Sequence, residues 1–200
     1  RLAKKYGTDP VNDPQKVSDL AFWILLGIIA GGRLFYVFQN FSQYTDNPFR
    51  IVAFWEGGMV FYGGFILALV LGIHKAKKMG LDPWATADYM LVAGMLGYGI
   101  GRFGCLLVGD DYGSETTVPW ALHVPNPLPE DSLFPPELAG HYLHPAQIYM
   151  AINGFMIAAI GSYLLPRKKF KGQIAWTVLL LYAVGRFIIE FFRGDEDRGL

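Results

Sequence analysis

Five long apolar stretches, separated by polar segments, dominate the pattern of hydrophobic and polar positions along the chain. They cover residues 17–38, 58–74, 85–108, 145–165 and 173–192. A helix that crosses the hydrocarbon core of a bilayer needs roughly 17–25 apolar residues, and all five stretches reach that length. The second stretch is near the lower limit, which a buried helix of a water-soluble protein also reaches. Together they predict an all-α polytopic membrane protein with five transmembrane helices.

The composition agrees with a membrane protein and excludes other classes. Hydrophobic residues make up 52% of the 200 residues, 17% are charged, and the mean hydropathy is +0.28. Basic and acidic residues balance at 17 each, so no net positive field exists to hold nucleic acid. The single cysteine, Cys105, forms no disulfide within the chain and offers no cysteine cluster to a metal. We therefore expect no nucleic-acid partner, no metal and no cofactor.

The charges of the polar segments predict the orientation of the helices. With five spans, residues 1–16, 75–84 and 166–172 share one side of the membrane, and residues 39–57, 109–144 and 193–200 share the other. All nine lysines fall in the first group, whereas the second is rich in aspartate and glutamate. Because cytoplasmic loops are enriched in Lys and Arg, the first side is predicted to be the cytoplasm.

The longest outer segment, residues 109–144, predicts a small extracytoplasmic head. It is rich in proline and lacks a periodic apolar face, so it reads as an insertion into a single membrane-embedded domain of residues 1–200. The chain begins at Arg1 with neither methionine nor a signal-peptide pattern, which suggests a trimmed fragment. Since no soluble catalytic domain is left, any chemistry is expected in the membrane or at its outer face.

Three arginines lie inside apolar stretches at similar distances from the outer ends. Arg33 precedes the end of its stretch by five residues, and Arg102 and Arg186 precede theirs by six. With a rise of about 1.5 Å per residue, all three lie roughly 8–9 Å below the outer boundary. A charge at that depth needs a partner or a cavity, and the guanidinium fork matches phosphate oxygens. We expect a cleft that binds a phospholipid headgroup, although Arg33 alone also fits an interfacial anchor.

Motifs around these arginines resemble those of bacterial prolipoprotein diacylglyceryl transferases. The main motif is Gly-Ile-Gly-Arg-Phe-Gly at residues 99–104, closing at Gly113. Four supporting motifs occur in the order that the family has, at residues 31–37, 56–64, 144–149 and 182–190. The resemblance covers nearly the whole chain, and its weight lies in the five ordered motifs rather than in any one of them.

The resemblance implies a fold, an activity and a location. Family members have seven transmembrane helices, so this chain is expected to lack the first and the last. They move the diacylglyceryl group of phosphatidylglycerol to the cysteine thiol of a prolipoprotein lipobox peptide, and glycerol phosphate is released. The resemblance thus implies the bacterial cytoplasmic (inner) membrane, an active site toward the periplasmic face, and membrane lipid as a further partner.

The resemblance also assigns roles, with several departures from the family pattern. Arg102 and Arg186 match arginines that bind the phosphate and support the leaving group. Elsewhere Tyr62 replaces a histidine, Cys105 and Val108 replace asparagines, and Asp110 and Met150 replace glutamates. Because a phenol is a poorer base than an imidazole at neutral pH, the group that accepts the proton is left open.

Two residues are candidates for that base, each with a structural alternative. His144, at the start of the fourth stretch, is a base or a hydrogen-bonding group at the beginning of a helix. Glu190, four residues after Arg186, is a base or the ion-pair partner of that arginine. Tyr62 is expected to donate a hydrogen bond to an ester or phosphate oxygen rather than to take a proton.

The remaining candidates are expected to contact substrate. They are Arg33, Tyr36, Gly104, Cys105, Asp110, Gly113 and Tyr182. Three of them have alternatives: Cys105 is a nucleophile beside Arg102 or a small apolar filler, Tyr182 lines the core, and Asp110 is a solvated charge. Two other functions stay open: a paralogue with the same lipid cleft and a different acceptor, and a lipid-binding membrane protein that is not an enzyme.

Overall fold

The computed structural model describes residues 2–7, 13–44 and 47–194, and most of these residues are helical. The α-helices are α1 (Leu2–Tyr6), α2 (Pro14–Gln39), α3 (Phe61–Lys78), α4 (Pro83–Val108), α5 (Ala146–Leu164) and α6 (Gln173–Glu190). Short 3-10 helices cover Phe41–Tyr44, Pro48–Val52, Phe54–Glu56, Pro136–Leu138 and Leu165–Arg167. The chain forms two compact units that divide within α4, between Thr86 and Ala87.

Helices α2 and α3 form the core of the first unit through contacts between glycines. A Cβ on Gly31 would collide with the Gly63 carbonyl oxygen, and a Cβ on Gly27 would lie 2.8 Å from the Ala68 Cα. Gly27 and Gly31 are one turn apart on α2, so together they form a flat face against which α3 lies. Small residues at this spacing let membrane helices approach closely, which agrees with a helix pair packed in lipid.

Helix α5 packs against both α4 and α6 in the second unit. Going backward along α5, Gly161 lies against Val92 and Val178, Gly154 lies against Tyr98, and Asn153 lies against Gly185. Both α4 and α6 therefore run antiparallel to α5 and parallel to each other. This arrangement brings the carboxyl ends of α4 and α6 to the same end of the unit.

Residues 109–144 fold into a small β-structured segment beside those carboxyl ends. Strand β1 (Leu122–His123) pairs antiparallel with β2 (Tyr142–Leu143), with Leu122 opposite Leu143. Two further antiparallel bridges join Gly113 to Arg193 and Glu115 to Leu143. Val124, Phe134 and Leu143 form the buried core of the segment. The chain after α6 is thereby held against the residues that follow α4.

Within the part of the chain that the structure describes, four helices are long and apolar enough to span a membrane: α2, α4, α5 with its following 3-10 turn, and α6. The coarse prediction of a helical, multi-pass membrane protein is therefore confirmed. Helix α3 has 18 residues and carries Lys75, Lys77 and Lys78 in its last turn, so the fifth span stays a prediction.

The helix bounds differ from the predicted stretches where backbone geometry intervenes. The second stretch was predicted to begin at residue 58, but α3 begins at Phe61. Gly57 and Gly58 have φ of 81° and 72°, in the left-handed region, which a right-handed helix cannot include. The fifth stretch was predicted to run to residue 192, whereas α6 ends at Glu190 and a turn follows.

A buried carboxylate on α4 caps the first turn of α6. Asp88 is 0% exposed, and its oxygens accept hydrogen bonds from the backbone N–H groups of Gly172 (3.0 Å), Ile174 (2.9 Å) and Ala175 (2.9 Å). The Lys168 ammonium lies 2.9 Å away as its counter-ion. The first amides of a helix lack acceptors within the helix, so Asp88 fixes where α6 starts. The sequence pattern did not predict this role of Asp88.

Candidate functional site

Arg102 lies near the carboxyl end of α4, in a polar cluster. Its Nη1 forms an ion pair with Asp111 Oδ2 and also lies 3.7 Å from the Cys105 sulfur. The guanidinium carbon is 4.7 Å from the centre of the Tyr98 ring. The Arg102 side chain is 19% exposed, so it is partly open rather than sealed in the core.

Asp111 connects Arg102 to a second arginine. Its Oδ1 accepts a hydrogen bond from Arg193 Nη2 at 2.6 Å, and the Arg193 side chain is only 4% exposed. Arg193 follows α6, so this carboxylate joins the ends of two parallel helices. The Arg193 Nη1 also lies 4.0 Å from the sulfur of Met150 on α5.

Arg186 occupies the corresponding level on α6. It forms an ion pair with Glu190, one turn later on the same helix, and the two side chains are 25% and 39% exposed. The Tyr98 and Tyr182 rings are in edge contact, with centroids 5.5 Å apart, and each tyrosine precedes its arginine by four residues. Because α4 and α6 are parallel, Arg102 and Arg186 lie one turn beyond that contact, at the same level.

His144 lies between β2 and α5 in a short chain of hydrogen bonds. Its Nδ1 is 3.2 Å from the Tyr149 hydroxyl, which accepts a hydrogen bond from Trp120 Nε1 at 2.8 Å. Its backbone N–H donates to the Ser114 carbonyl at 2.9 Å, and its ring contacts Phe192 at 5.2 Å between centroids. His144 is thus held at the beginning of α5 with one ring nitrogen oriented by Tyr149, and both interpretations of this residue stay open.

Arg33 belongs to the first unit and donates four hydrogen bonds to backbone carbonyl oxygens. It is 6% exposed, and its N–H groups donate to four carbonyl oxygens. The acceptors are Arg50 (2.6 Å), Ile51 (3.0 Å), Gly57 (2.5 Å) and Gly58 (3.3 Å). Four of its five N–H bonds are therefore used within the unit. This geometry favours a structural role for Arg33 over the predicted contact with a lipid phosphate.

Two predicted tyrosines also belong to the first unit. The Tyr36 ring packs against Gly58, where a Cβ would meet the ring at 2.5 Å, and lies 5.8 Å from the Arg33 guanidinium carbon. Tyr62, at the start of α3, is 71% exposed and contacts the ring of Phe61. Their predicted roles toward substrate stay predictions.

The glycines of the main motif have different surroundings. A Cβ on Gly104 would meet no atom within 4 Å, whereas one on Gly113 would collide with the His144 and Phe192 backbone oxygens. Three chain segments approach so closely here that position 113 has room only for a glycine. Its predicted role in substrate binding is therefore accompanied by a structural one.

Three possible metal ligands lie together, but one of them, Asp111, is already paired with two arginines. One donor atom each of Cys105, Asp110 and Asp111 lies within 4.8 Å of the others. Both Asp111 oxygens are bonded to guanidinium groups, those of Arg102 and Arg193. A dication placed here would compete with two cations that already occupy the carboxylate, so the donor set favours arginine over metal.

Three residues of the cluster were not predicted from the sequence: Asp111, Arg193 and Gln147. Asp111 and Arg193 are 82 residues apart, so no local spacing in the sequence predicts their contact. Gln147 is 1% exposed on the first turn of α5, and its Nε2 donates to the Asp110 carbonyl at 2.8 Å. A second acidic residue directly after Asp110, and an arginine three residues after Glu190, were the available signals.

The fold and the site define a multi-pass helical membrane protein with arginines and carboxylates grouped at the ends of two parallel helices. Comparison with known proteins gives the family. The model for the prolipoprotein diacylglyceryl transferases matches residues 1–200, and the chain belongs to this family of transferases. The resemblance seen in the motifs is thereby confirmed.

Three relatives show the extent of the similarity. The phosphatidylglycerol–prolipoprotein diacylglyceryl transferase of Geobacter sulfurreducens is 34% identical over 187 residues, which are 92% of this chain and 68% of the relative. The Pseudomonas fluorescens enzyme is 35% identical over 188 residues, with coverage of 92% and 66%. That of Trichormus variabilis is 32% identical over 192 residues, again with 92% and 66%. The chain spans about two thirds of the length of these relatives.

Proposed function

We propose that this protein transfers the diacylglyceryl group of phosphatidylglycerol to the cysteine thiol of a prolipoprotein. The observation that carries the proposal is the level of Arg102 and Arg186, one turn beyond the Tyr98–Tyr182 contact on parallel helices. Two partly exposed guanidinium groups at one level form a site for a phosphodiester. The names of the relatives supply the substrates.

The reaction moves charge toward these arginines. The acceptor thiolate attacks the glyceryl carbon that bears the phosphate ester, a carbon–sulfur bond forms, and the carbon–oxygen bond breaks. The electron pair of that bond leaves with glycerol phosphate, whose negative charge increases as it departs. Fixed cations in a site of low dielectric stabilise this transition state more than the ground state.

His144 is the better placed of the two candidate bases. Glu190 is engaged in an ion pair with Arg186, whereas the His144 Nδ1 faces only a neutral hydroxyl among its described contacts. With Nδ1–H donating to the Tyr149 oxygen, the imidazole presents an unprotonated Nε2 that can take the thiol proton. Tyr149 and Trp120 then hold the ring in that orientation.

The membrane arrangement that goes with this activity has five spans and an outer-facing site. Lys75, Lys77 and Lys78 at the end of α3 support a cytoplasmic location for that end, because basic residues are enriched there. The end of α4 then lies toward the periplasmic face of the bacterial inner membrane. Residues 109–144 form an extracytoplasmic head in this arrangement.

A different acceptor is the second candidate function. Tyr62, Cys105 and Val108 stand where the family pattern has histidine and asparagines, and Tyr62 is largely exposed. These changes alter the groups that would activate or hold a thiol while leaving both arginines in place. A paralogue with another thiol, a hydroxyl or an amine as its acceptor fits that combination.

One assay separates the candidates. The purified protein is incubated with phosphatidylglycerol and a lipobox peptide, and glycerol phosphate and lipidated peptide are both measured. Formation of both products is expected. Glycerol phosphate without lipidated peptide would indicate another acceptor, and the absence of both products would contradict a transferase and favour lipid binding alone.

A further inference from the structure

Asp111 has a place in the arginine cluster that the proposed reaction does not yet use. The residue is 7% exposed, and each carboxylate oxygen bonds a different arginine, Arg102 or Arg193. A buried carboxylate held by two guanidinium groups resists displacement, because any movement would leave buried charges unpaired. The position of one side chain therefore fixes the position of the other two.

The backbone around Asp111 also holds the carboxylate in place. Its φ is 54°, a left-handed conformation that a residue with a side chain adopts only when its surroundings support it. The Asp110 side chain accepts the Asp111 N–H at 2.9 Å, and Gln147 from α5 donates to the Asp110 carbonyl at 2.8 Å. Contacts from the ends of three helices thus converge on this turn.

We infer that Asp111 is a positioning residue for Arg102 in the proposed diacylglyceryl transfer, on which this inference rests. Asp111 engages Nη1 of Arg102, and the inference assigns contact with the lipid phosphate to the other N–H groups of the same guanidinium. A guanidinium held by a fixed carboxylate is preorganised and needs no reorientation as charge grows on the leaving group.

Asp111 also sets the charge of the site. Arg102, Arg186 and Arg193 contribute three positive charges, and Asp110, Asp111 and Glu190 contribute three negative ones, so these described charges balance. Removing the Asp111 charge makes the site more positive, so the anionic lipid is bound at least as tightly while Arg102 loses its orientation.

The test is a kinetic comparison of Asp111→Asn, Asp111→Glu and the exposed control Asp131→Asn, with phosphatidylglycerol as the varied substrate. Asp111→Asn is expected to lower kcat at least about tenfold without raising KM. Asp111→Glu is expected to recover part of the loss, and Asp131→Asn to match wild type. In an Arg102→Lys background, Asp111→Asn is expected to lower kcat little further, because Asp111 acts through Arg102. Wild-type kcat in Asp111→Asn, or losses that multiply in the double variant, would overturn the inference.

A second readout keeps this inference separate from the proposed function. If wild-type protein transfers nothing from phosphatidylglycerol, the proposed function fails, and the role of Asp111 is then judged by labelling. Phenylglyoxal modifies guanidinium groups, and its rate at Arg102 in membranes is followed by peptide mass spectrometry. We expect Arg102 to react several-fold faster in Asp111→Asn than in wild type or Asp131→Asn. Equal rates in all three proteins would show that Asp111 does not hold Arg102.

Discussion

Arg33 and Arg102 are equivalent in the sequence pattern but differ in their surroundings. Arg33 is buried and donates four hydrogen bonds to backbone carbonyls within its unit. Arg102 is partly exposed, pairs with a carboxylate and stacks on Tyr98. The Arg33 guanidinium holds a loop through its hydrogen bonds. The Arg102 guanidinium is partly exposed and can also contact a ligand.

The same substitution is therefore expected to affect these two arginines differently. Arg102→Lys keeps the charge but loses the planar fork, so turnover with phosphatidylglycerol should fall about a hundredfold, with little change in thermal stability. Arg33→Lys cannot replace four bonds, so its free energy of unfolding should fall by about 2–3 kcal/mol. Kinetic assays and thermal unfolding of the same detergent-purified samples measure both effects.

Arg167→Lys is the matched control, because Arg167 is exposed beyond the end of α5. This substitution is expected to change neither turnover nor the free energy of unfolding. Wild-type turnover in Arg102→Lys would remove Arg102 from the mechanism. Lost turnover with unchanged thermal stability in Arg33→Lys would instead support the predicted contact between Arg33 and the lipid.

Local spacing predicts some of these residue contacts and misses others. The Arg186–Glu190 pair follows from two charges one helical turn apart, and the structure confirms it. Asp111 and Arg193 meet only because α4 and α6 end side by side. Apart from its place directly after Asp110, Asp111 had no signal in the sequence, because its left-handed backbone and its burial both depend on how the chain leaves α4.

At the scale of elements, α6 depends on α4 for its first turn. Three backbone N–H groups at its start donate to Asp88, and Lys168 pairs with the same carboxylate. Hydrogen bonds to a charged group contribute about 1.5–3 kcal/mol each when the partner is otherwise buried. The helix that carries Arg186 is thus anchored at the end opposite the arginine.

Asp88→Ala is expected to destabilise the protein by about 3–5 kcal/mol, because it leaves buried amides and an ammonium without their acceptor. Asp88→Asn keeps some acceptor capacity and should be less severe. Asp19→Asn, an exposed aspartate on α2, is the control and should be neutral. Thermal unfolding in one detergent compares the three, and equal midpoints for Asp88→Ala and Asp19→Asn would contradict this role.

Apolar length and glycine placement predict the helices themselves well. The bounds of α4 and α5 lie within two residues of the predicted stretches. The predicted start of α3 was wrong by three residues. Gly57 and Gly58 have positive φ angles that keep them out of the helix, and this conformation depends on the loop that Arg33 holds. Sequence pattern alone does not contain that tertiary contact.

At the scale of the whole molecule, the chain is a multi-pass membrane protein whose predicted orientation rests on the distribution of its lysines. The difference in charge between the loops orients the helices while they insert into the membrane, and no contact within the folded protein reports that orientation. Orientation is therefore a matter for a labelling experiment.

Single cysteines placed in a Cys105→Ala background test the orientation. Ser132→Cys, in the 109–144 segment, should react with a membrane-impermeant maleimide in intact cells. Lys77→Cys, at the end of α3, should react only after the cells are opened. The reverse pattern would invert the arrangement, and labelling of both sites in intact cells would contradict the five-span topology.

The Asp88 cap has a consequence for how the protein is assembled. Its acceptor on α4 is synthesised more than eighty residues before the amides it serves, so the last helix enters the bilayer toward a partner already made. A ribosome product that stops before α6 would keep Lys168 as the counter-ion of Asp88 but lack the Ile174 and Ala175 amides, and it would lack Arg186 altogether. The Asp88 carboxylate of such an incomplete chain would lack two of the hydrogen-bond donors that it has in the folded protein, where it is fully buried.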